Sequence, residues 1–393
     1  FGPNYIIPKP FDPRLIFEIA PAVARAAMES GVATRPIEDF RAYREKLSSF
    51  VYQSGFLMKP VFDQARRTNE ANQKRLVYAE GEHPYVLQAA QQVVTEGIAR
   101  PILVGETDNI KHWITHLGLR IRVGEDVDVF DPATDPRTPT LLEEYLSLVE
   151  RRGVPPSHAR RVIANGATVV AGLLLRRGDA DAMICGAVGR YLAHLRHIRQ
   201  VIGQAPDARC IASLSGIILP GGPLFIADSH VNENPSVDEL TEITMMAAGK
   251  LGRFGIEPKI ALVSHSNFGT RDSETALKMR EVLARVRTLD PNLEIEGEMH
   301  ADAAISTFIR EDNFPNSRLT GRANLLIMPT LDAAHISYTL LRSVNRAVAI
   351  GPMLLGTAFP AHIVTTSATV RTILNMSAIS VVQAAHDDIE HHG

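Results

Sequence analysis

The feature that most constrains this chain is an ordered alternation that begins at Lys74. Arg75-Leu76-Val77-Tyr78-Ala79 is a short apolar run ending in Glu80-Gly81-Glu82. Residues 84–97 follow, with Val86, Ala90, Val93 and Val94 at helical spacing and Gly97 as a stop. Arg100-Pro101-Ile102-Leu103-Val104-Gly105 is then a second apolar run. The order reads strand, turn, helix, strand, which is a parallel βαβ unit with helices covering the sheet. The rhythm recurs. Residues 182–188 read as strand and turn, and 190–202 as a helix with the apolar stripe Leu195, Ile198 and Ile202. Residues 259–264 and 325–329 read as two more buried strands. The fold class is α/β.

The chain has 393 residues. Domains typically run about 100–200 residues, so two packed domains plus an appendage are expected. Hydrophobic residues make up 45% and charged residues 22%, enough apolar material for a sizeable core. The net charge is -3 with no long run of one sign, which argues against nucleic acid or an anionic membrane as partner. No apolar run reaches the ~18–20 residues of a membrane helix. The longest, around 171–175, meets Arg176 and Arg177 at once. Cys185 and Cys210 form no C-x-x-C, so reduced structural thiols in a cytoplasmic protein are expected. Phe1-Gly2-Pro3-Asn4 has neither Met nor a signal pattern and reads as a start inside a longer protein.

Several generic site motifs are missing. There is no G-x-G-x-x-G, no G-x-x-x-x-G-K-[ST], no G-x-S-x-G and no H-E-x-x-H. The 14 histidines are scattered, and His386, His391 and His392 at the tail read as a chance cluster, so no metal site is expected.

Six segments in collinear order carry more information. They are Tyr78-Ala79-Glu80-Gly81, Gly186-Ala187-Val188, residues 261–266 (ALVSHS), residues 297–304 (GEMHADAA), residues 323–329 (ANLLIMP) and residues 351–356 (GPMLLG). Together, from about Lys74 to the end, they resemble the phosphate acetyltransferase family. Residues 5–16, 20–24 and 31–37 instead resemble the C-terminal end of a bacterial malic enzyme catalytic domain. The combination is similar to the hybrid malic enzymes, in which a malate-decarboxylating dehydrogenase is fused to a phosphotransacetylase-like part. The resemblance implies a two-domain, three-layer αβα fold, related to that of isocitrate and isopropylmalate dehydrogenases. It also implies a division into a malic enzyme end (1–38), a helical linker (39–73), a first domain (74–207 plus 353–393) and a second domain (208–352). The divalent metal and NADP of the malic enzyme reaction would lie upstream of Phe1, leaving no cofactor in this chain.

Active members of the resembled family carry a loop of the type P-V-N-D-L-S-R-G-A-T-V-x-D-I. Its aspartate is thought to be the base toward the coenzyme A thiol; its serine and arginine steady the transition state and the phosphoryl group. A thiol titrates near ~8.5, so attack needs help in forming a thiolate. A phosphate dianion suits a guanidinium fork, and a tetrahedral oxyanion needs a donor. Here residues 360–373 read PAHIVTTSATVRTI. Anchored at Pro360, Ala368-Thr369-Val370 and Ile373, the serine position is Thr365, the arginine position Thr366 and the base position Thr372. After G-A-V the family usually has a histidine and two threonines; this chain has Gly189-Arg190-Tyr191, while the family's downstream arginine is kept as Arg196.

The resemblance implies no catalytic residue here and a pocket for CoA or acetyl-CoA. Its candidate contacts are Arg196, Arg190, His265, Ser266, Asn267, His362, Thr365, Thr366 and Thr372. Each has a plainer reading. Arg196 is either a contact to the CoA phosphates or a solvated helix residue. Arg190, His194 and His197 fall on one helix face, read as polar and cationic, which either meets ligand or meets water. Ser264-His265-Ser266-Asn267 follows a strand and is placed to line a cleft. Asp302 is read as a helix cap. The expected function is regulatory: acetyl-CoA binding adjusts the attached malic enzyme domain. An active phosphate acetyltransferase and a purely structural oligomerisation module remain the alternatives. A homo-oligomer, paired through the second domain, is implied by resemblance.

Overall fold

A computed structural model describes residues 14–37, 39–219, 221–345 and 347–392. Residues 5–13, read as part of the malic enzyme-like end, lie outside the described residues. The strands in chain order are β1 (Arg75–Tyr78), β2 (Arg100–Val104), β3 (Asp128–Phe130), β4 (Ala182–Cys185), β5 (Ala212–Leu219), β6 (Gly222–Ala227), β7 (Lys259–Val263), β8 (Glu294–Met299), β9 (Leu325–Ile327), β10 (Val348–Leu355) and β11 (Ala361–Ile363). They form two sheets. The first is parallel throughout, in the order β11-β4-β1-β2-β3. The second runs β10-β5-β6-β9-β7-β8, with β5 antiparallel to both its neighbours and the rest parallel.

Alternation along each strand divides the side chains between layers. Leu76 and Tyr78 of β1 face a core that also holds Leu214, Phe225 and Ile260 of the second sheet. Val77 and Ala79 face the opposite way, against helices Thr138–Val149, Ala167–Arg176 and Tyr191–Val201. The far side of the second sheet packs Ile217, Ile226, Ala261 and Leu326 under Ala303, Ala304, Ala334 and Tyr338. Each sheet is therefore sandwiched by helices, and one apolar layer is common to both.

The C-terminal helix Val370–His392 runs through that common layer and contributes Ile373, Leu374, Met376, Ile379 and Val382. Ser377, on the same helix, meets the Tyr78 hydroxyl at 2.6 Å inside the core. The helix Phe40–Ala71 adds Met58, Val61 and Ala65, so the stretch read as a linker is core-forming in its second half.

One boundary falls later than the sequence reading places it. β10 pairs with β5 on both sides of residue 352, with Leu354 opposite Ser213 and Ile350 opposite Gly216. The return from the second sheet to the first thus falls at 356–360, between β10 and β11. β8 escapes a hydrophobicity reading because Glu294, Glu296 and Glu298 alternate along it. Glu296 and Glu298 are buried nonetheless, since Arg287 at 2.9 Å and Arg280 at 3.0 Å neutralise them.

Candidate ligand-binding cleft

The C-terminal ends of β1, β4 and β11 meet in one corner. Gly186, just past β4, donates its N–H to both carboxylate oxygens of Glu80 at 3.0 Å, and Ala187 N–H reaches the same carboxylate at 3.4 Å. Gly186 has φ 98°, and a Cβ there would come within 2.2 Å of the Val364 carbonyl oxygen. Val364 N–H in turn donates to the Cys185 carbonyl at 2.7 Å. The turn after β4 and the loop after β11 are therefore in direct contact, with Glu80 beneath them. The Glu80 side chain is only 14% exposed. Burial pushes its carboxyl up to about 7, against the opposing pull of the Gly186 and Ala187 donors.

His194, on helix Tyr191–Val201, holds the other side of this turn. Its Nε2 lies 2.7 Å from the Val188 carbonyl oxygen, so that nitrogen carries the hydrogen and donates. Its Nδ1 then accepts from the Thr168 hydroxyl, also at 2.7 Å. Burial holds the ring below its ordinary pKa, which keeps it neutral.

The loop after β11 offers hydroxyls. Thr365 Oγ1 meets Ser367 Oγ at 3.0 Å, and the Thr365 carbonyl accepts the Ala368 N–H at 2.8 Å. Thr366 is exposed. Thr372 sits in the first turn of Val370–His392, where its Oγ1 lies 3.1 Å from Thr369 Oγ1.

A wall from the second sheet faces this corner. Past β6, the buried Asp228 carboxylate accepts from the Ser213 N–H at 3.0 Å, the His230 N–H at 3.1 Å and the Asn232 side chain at 2.7 Å. Burial still pushes its pKa up, with Ser213 and His230 opposing. Ser229 Oγ joins Ser215 Oγ and His230 Nδ1, each at 2.8 Å. The His230 ring stands 5.0 Å from the Tyr191 ring and 5.3 Å from that of His335. Tyr191 thus links the first sheet's helix to the second sheet. Ligands of open α/β sheets bind outside carboxyl ends of strands, and both walls here are built from such ends.

The sequence matches the phosphate acetyl/butaryl transferase model over residues 56–381. The chain belongs to that family. It is 50% identical over 385 residues to the NADP-dependent malic enzyme of Escherichia coli (strain K12), covering 98% of this chain and 50% of that protein. It is 49% identical over 386 residues to the NAD-dependent malic enzyme of Rhizobium meliloti (strain 1021), with 98% and 50% covered. The chain spans about half the length of these relatives. Among solved structures, a phosphotransacetylase from Streptococcus pyogenes matches with a TM-score of 0.75 at 25% identity, covering 84% of this chain and 99% of that one.

Within this phosphate acetyl/butaryl transferase fold, the residues singled out from sequence fall into three groups. Thr365 and Thr366 lie on the loop after β11 and Thr372 in the first turn of Val370–His392, and Arg190 and Arg196 are exposed, Arg190 as the N-cap of Tyr191–Val201 and Arg196 within it. His265, Ser266 and Asn267 belong to a separate loop after β7. His265 is exposed, with Nε2 3.3 Å from Ser273 Oγ. Ser266 is buried, donates to Glu298 at 2.7 Å and accepts the Arg271 N–H at 3.1 Å; Asn267 Oδ1 accepts the His300 N–H at 2.6 Å. These two polar side chains brace their own loop. Burial opposes the Glu298 charge, but Arg280, the Gly269 N–H and Ser266 hold its pKa below the usual value.

Three readings need correction. His362 is not a ligand contact: alternation along β11 turns it into the shared core, fully buried, where Nδ1 accepts the Leu354 N–H at 3.1 Å. Burial, and then the nearby Lys250, lower its pKa well below the ordinary value. The face bearing Arg190, His194 and His197 is not uniformly cationic, because His194 is buried and neutral between Thr168 and Val188. Asp302 is no N-cap; His300 holds that position, and Asp302 accepts the Ala303 N–H inside the first turn.

The second wall, Asp228, Ser229, His230 and His335, went unread in the sequence. Its signal was the polar run Asp228-Ser229-His230 directly after apolar residues 224–227. A cavity of about 600 Å³ lies elsewhere, between Val237–Arg253 and Glu274–Leu289, and is lined in part by Arg209, Met245 and Leu289. No strand end contributes to it, so the cleft between the two sheets is the better candidate on chemical grounds.

Proposed function

We propose that this chain is a non-catalytic, phosphotransacetylase-like regulatory unit of a longer malic enzyme. It binds CoA or acetyl-CoA between the two sheets and adjusts oxidative decarboxylation of malate by a domain upstream. The observation that carries this reading is the loop after β11. Where the family's loop has serine, arginine and aspartate, this chain presents Thr365, Thr366 and Thr372. A threonine hydroxyl neither takes a proton from a thiol at neutral pH nor neutralises a phosphate. Loss of a general base alone typically costs about 10²–10⁴ in rate. Arg196 and Arg190, both exposed on the helix after the β4 turn, remain as cations for the phosphates of the ligand.

The malic enzyme relatives support the upstream partner, since the chain spans only half of each. Divalent metal and nicotinamide cofactor, NAD or NADP, belong in this reading to that upstream part. A cytoplasmic homo-oligomer, paired through the second sheet's domain, completes it. Coupling between such sites typically amounts to ~1–3 kcal/mol.

A working phosphate acetyltransferase is favoured by one feature, Glu80, a carboxyl pushed up to about 7 in the same corner. Its two oxygens are already engaged by Gly186 and Ala187. Thermal melting of the purified chain separates the possibilities. A ligand at about 100 times its Kd stabilises by about 2.7 kcal/mol, so acetyl-CoA should raise the melting temperature by several degrees. No shift would leave the structural module. Turnover of acetyl phosphate and CoA, abolished by Thr365→Ala, would sink the non-catalytic reading.

A further inference from the structure

We infer that the Tyr191 hydroxyl reads the ligand of the cleft by donating a hydrogen bond to an uncharged carbonyl oxygen, an amide or thioester of an acyl-carrying cofactor. The inference rests on the proposed binding of CoA or acetyl-CoA between the sheets. Tyr191 opens helix Tyr191–Val201 immediately after the turn held by Glu80 and His194. Its ring spans the two walls, 5.0 Å from that of His230. The residue is half-buried, but its hydroxyl oxygen is fully buried and has no hydrogen-bond partner among the described residues. Buried tyrosine hydroxyls ordinarily find a partner, so an orphan at a domain junction points to a missing one.

The neighbouring side chains are committed elsewhere. His230 Nδ1 is taken by Ser229 Oγ at 2.8 Å, and His335 Nδ1 donates to the Ser229 carbonyl at 3.0 Å. The surroundings also select the chemistry. Asp228, Cys185 and Arg199 act on the hydroxyl, while His335 and Arg342 act on His230, whose ring is tilted 39° from that of Tyr191. Burial, then Asp228 and Cys185, push the tyrosine's pKa well above its ordinary value, with Arg199 opposing, so it stays a neutral donor. Burial keeps His230 uncharged, with its pKa pushed down to about 4. At the hydroxyl an anionic phosphate oxygen would be repelled by Asp228 and attracted by Arg199, whereas an uncharged carbonyl accepts the bond without depending on either charge. In CoA the uncharged acceptors are the pantetheine amides; acetyl-CoA adds the thioester carbonyl. The hydroxyl is buried in the unliganded chain, so the bond requires the groups that cover it to move as the ligand enters. Tyr191 stands where the resembled family usually has a threonine after G-A-V.

Tyr191→Phe tests the inference because two effects of opposite sign are expected. Without ligand, deleting an unsatisfied buried hydroxyl leaves the melting temperature unchanged or raises it. With ligand, titration calorimetry of the whole chain should show affinity weakened about tenfold, the worth of one hydrogen bond. Weakening toward both CoA and acetyl-CoA supports an amide contact; weakening toward acetyl-CoA alone supports the thioester. Unchanged affinity for both overturns the inference and leaves the binding function standing. A lower ligand-free melting temperature also overturns it, since the hydroxyl would then be satisfied inside the unliganded protein. No saturable binding of either compound by the unsubstituted chain removes the proposed function and this contact together.

Discussion

At the scale of single residues, Glu80 is the most informative group. Its carboxyl is held near 7 in the folded chain, against 4.5 as its ordinary value. The folded state therefore binds the Glu80 proton more tightly than the unfolded state does. This contribution is fully present below about pH 4.5 and is lost as pH rises through 7. At about 1.4 kcal/mol per unit, the difference is on the order of 3 kcal/mol. Urea midpoints at pH 5 and pH 7.5 should show the drop, and Glu80→Gln, which cannot ionise, should flatten it. An unchanged slope in the variant would assign the pH dependence to other groups. Residue identity made Thr365, Thr366 and Thr372 legible from sequence, because what a side chain lacks is visible without coordinates. The orientation of Ser266 and His362 was not, since both follow from which face of a strand or loop is covered.

At the scale of elements, the decisive contact is the turn after β4 against the loop after β11. Gly186 is required there twice over, by its positive φ and by the 2.2 Å approach of the Val364 carbonyl to any Cβ. Gly186→Ala is expected to cost about 3 kcal/mol or more, because the neighbour in the way is backbone. Chemical denaturation would read that loss. Cleft binding should fall with it, because the Glu80 and His194 bonds hang on the same turn. A variant with native stability would show that the two loops part easily. The elements themselves were readable where periodicity was strong, as in β1, β2, β4 and Tyr191–Val201. They were missed where burial depends on partners far along the chain, as in β8, whose glutamates are neutralised from Glu274–Leu289.

At the scale of the whole molecule, the two sheets are not independent bodies joined by a hinge. They share one apolar layer, through which Val370–His392 passes with Ile373, Met376, Ile379 and Val382. Truncation after Thr369 should therefore abolish cooperative unfolding of both halves, not loosen one; calorimetry showing a surviving sharp transition would contradict this. The α/β class, the family and the threonines at 365, 366 and 372 were readable from the residues in order, because they depend on local periodicity, collinear motifs and side-chain identity. Tertiary structure alone decided that His362 is core, that His194 is neutral, and that Tyr191 meets His230 across the cleft. Those properties depend on burial and on contacts between residues far apart in sequence, which no local pattern encodes.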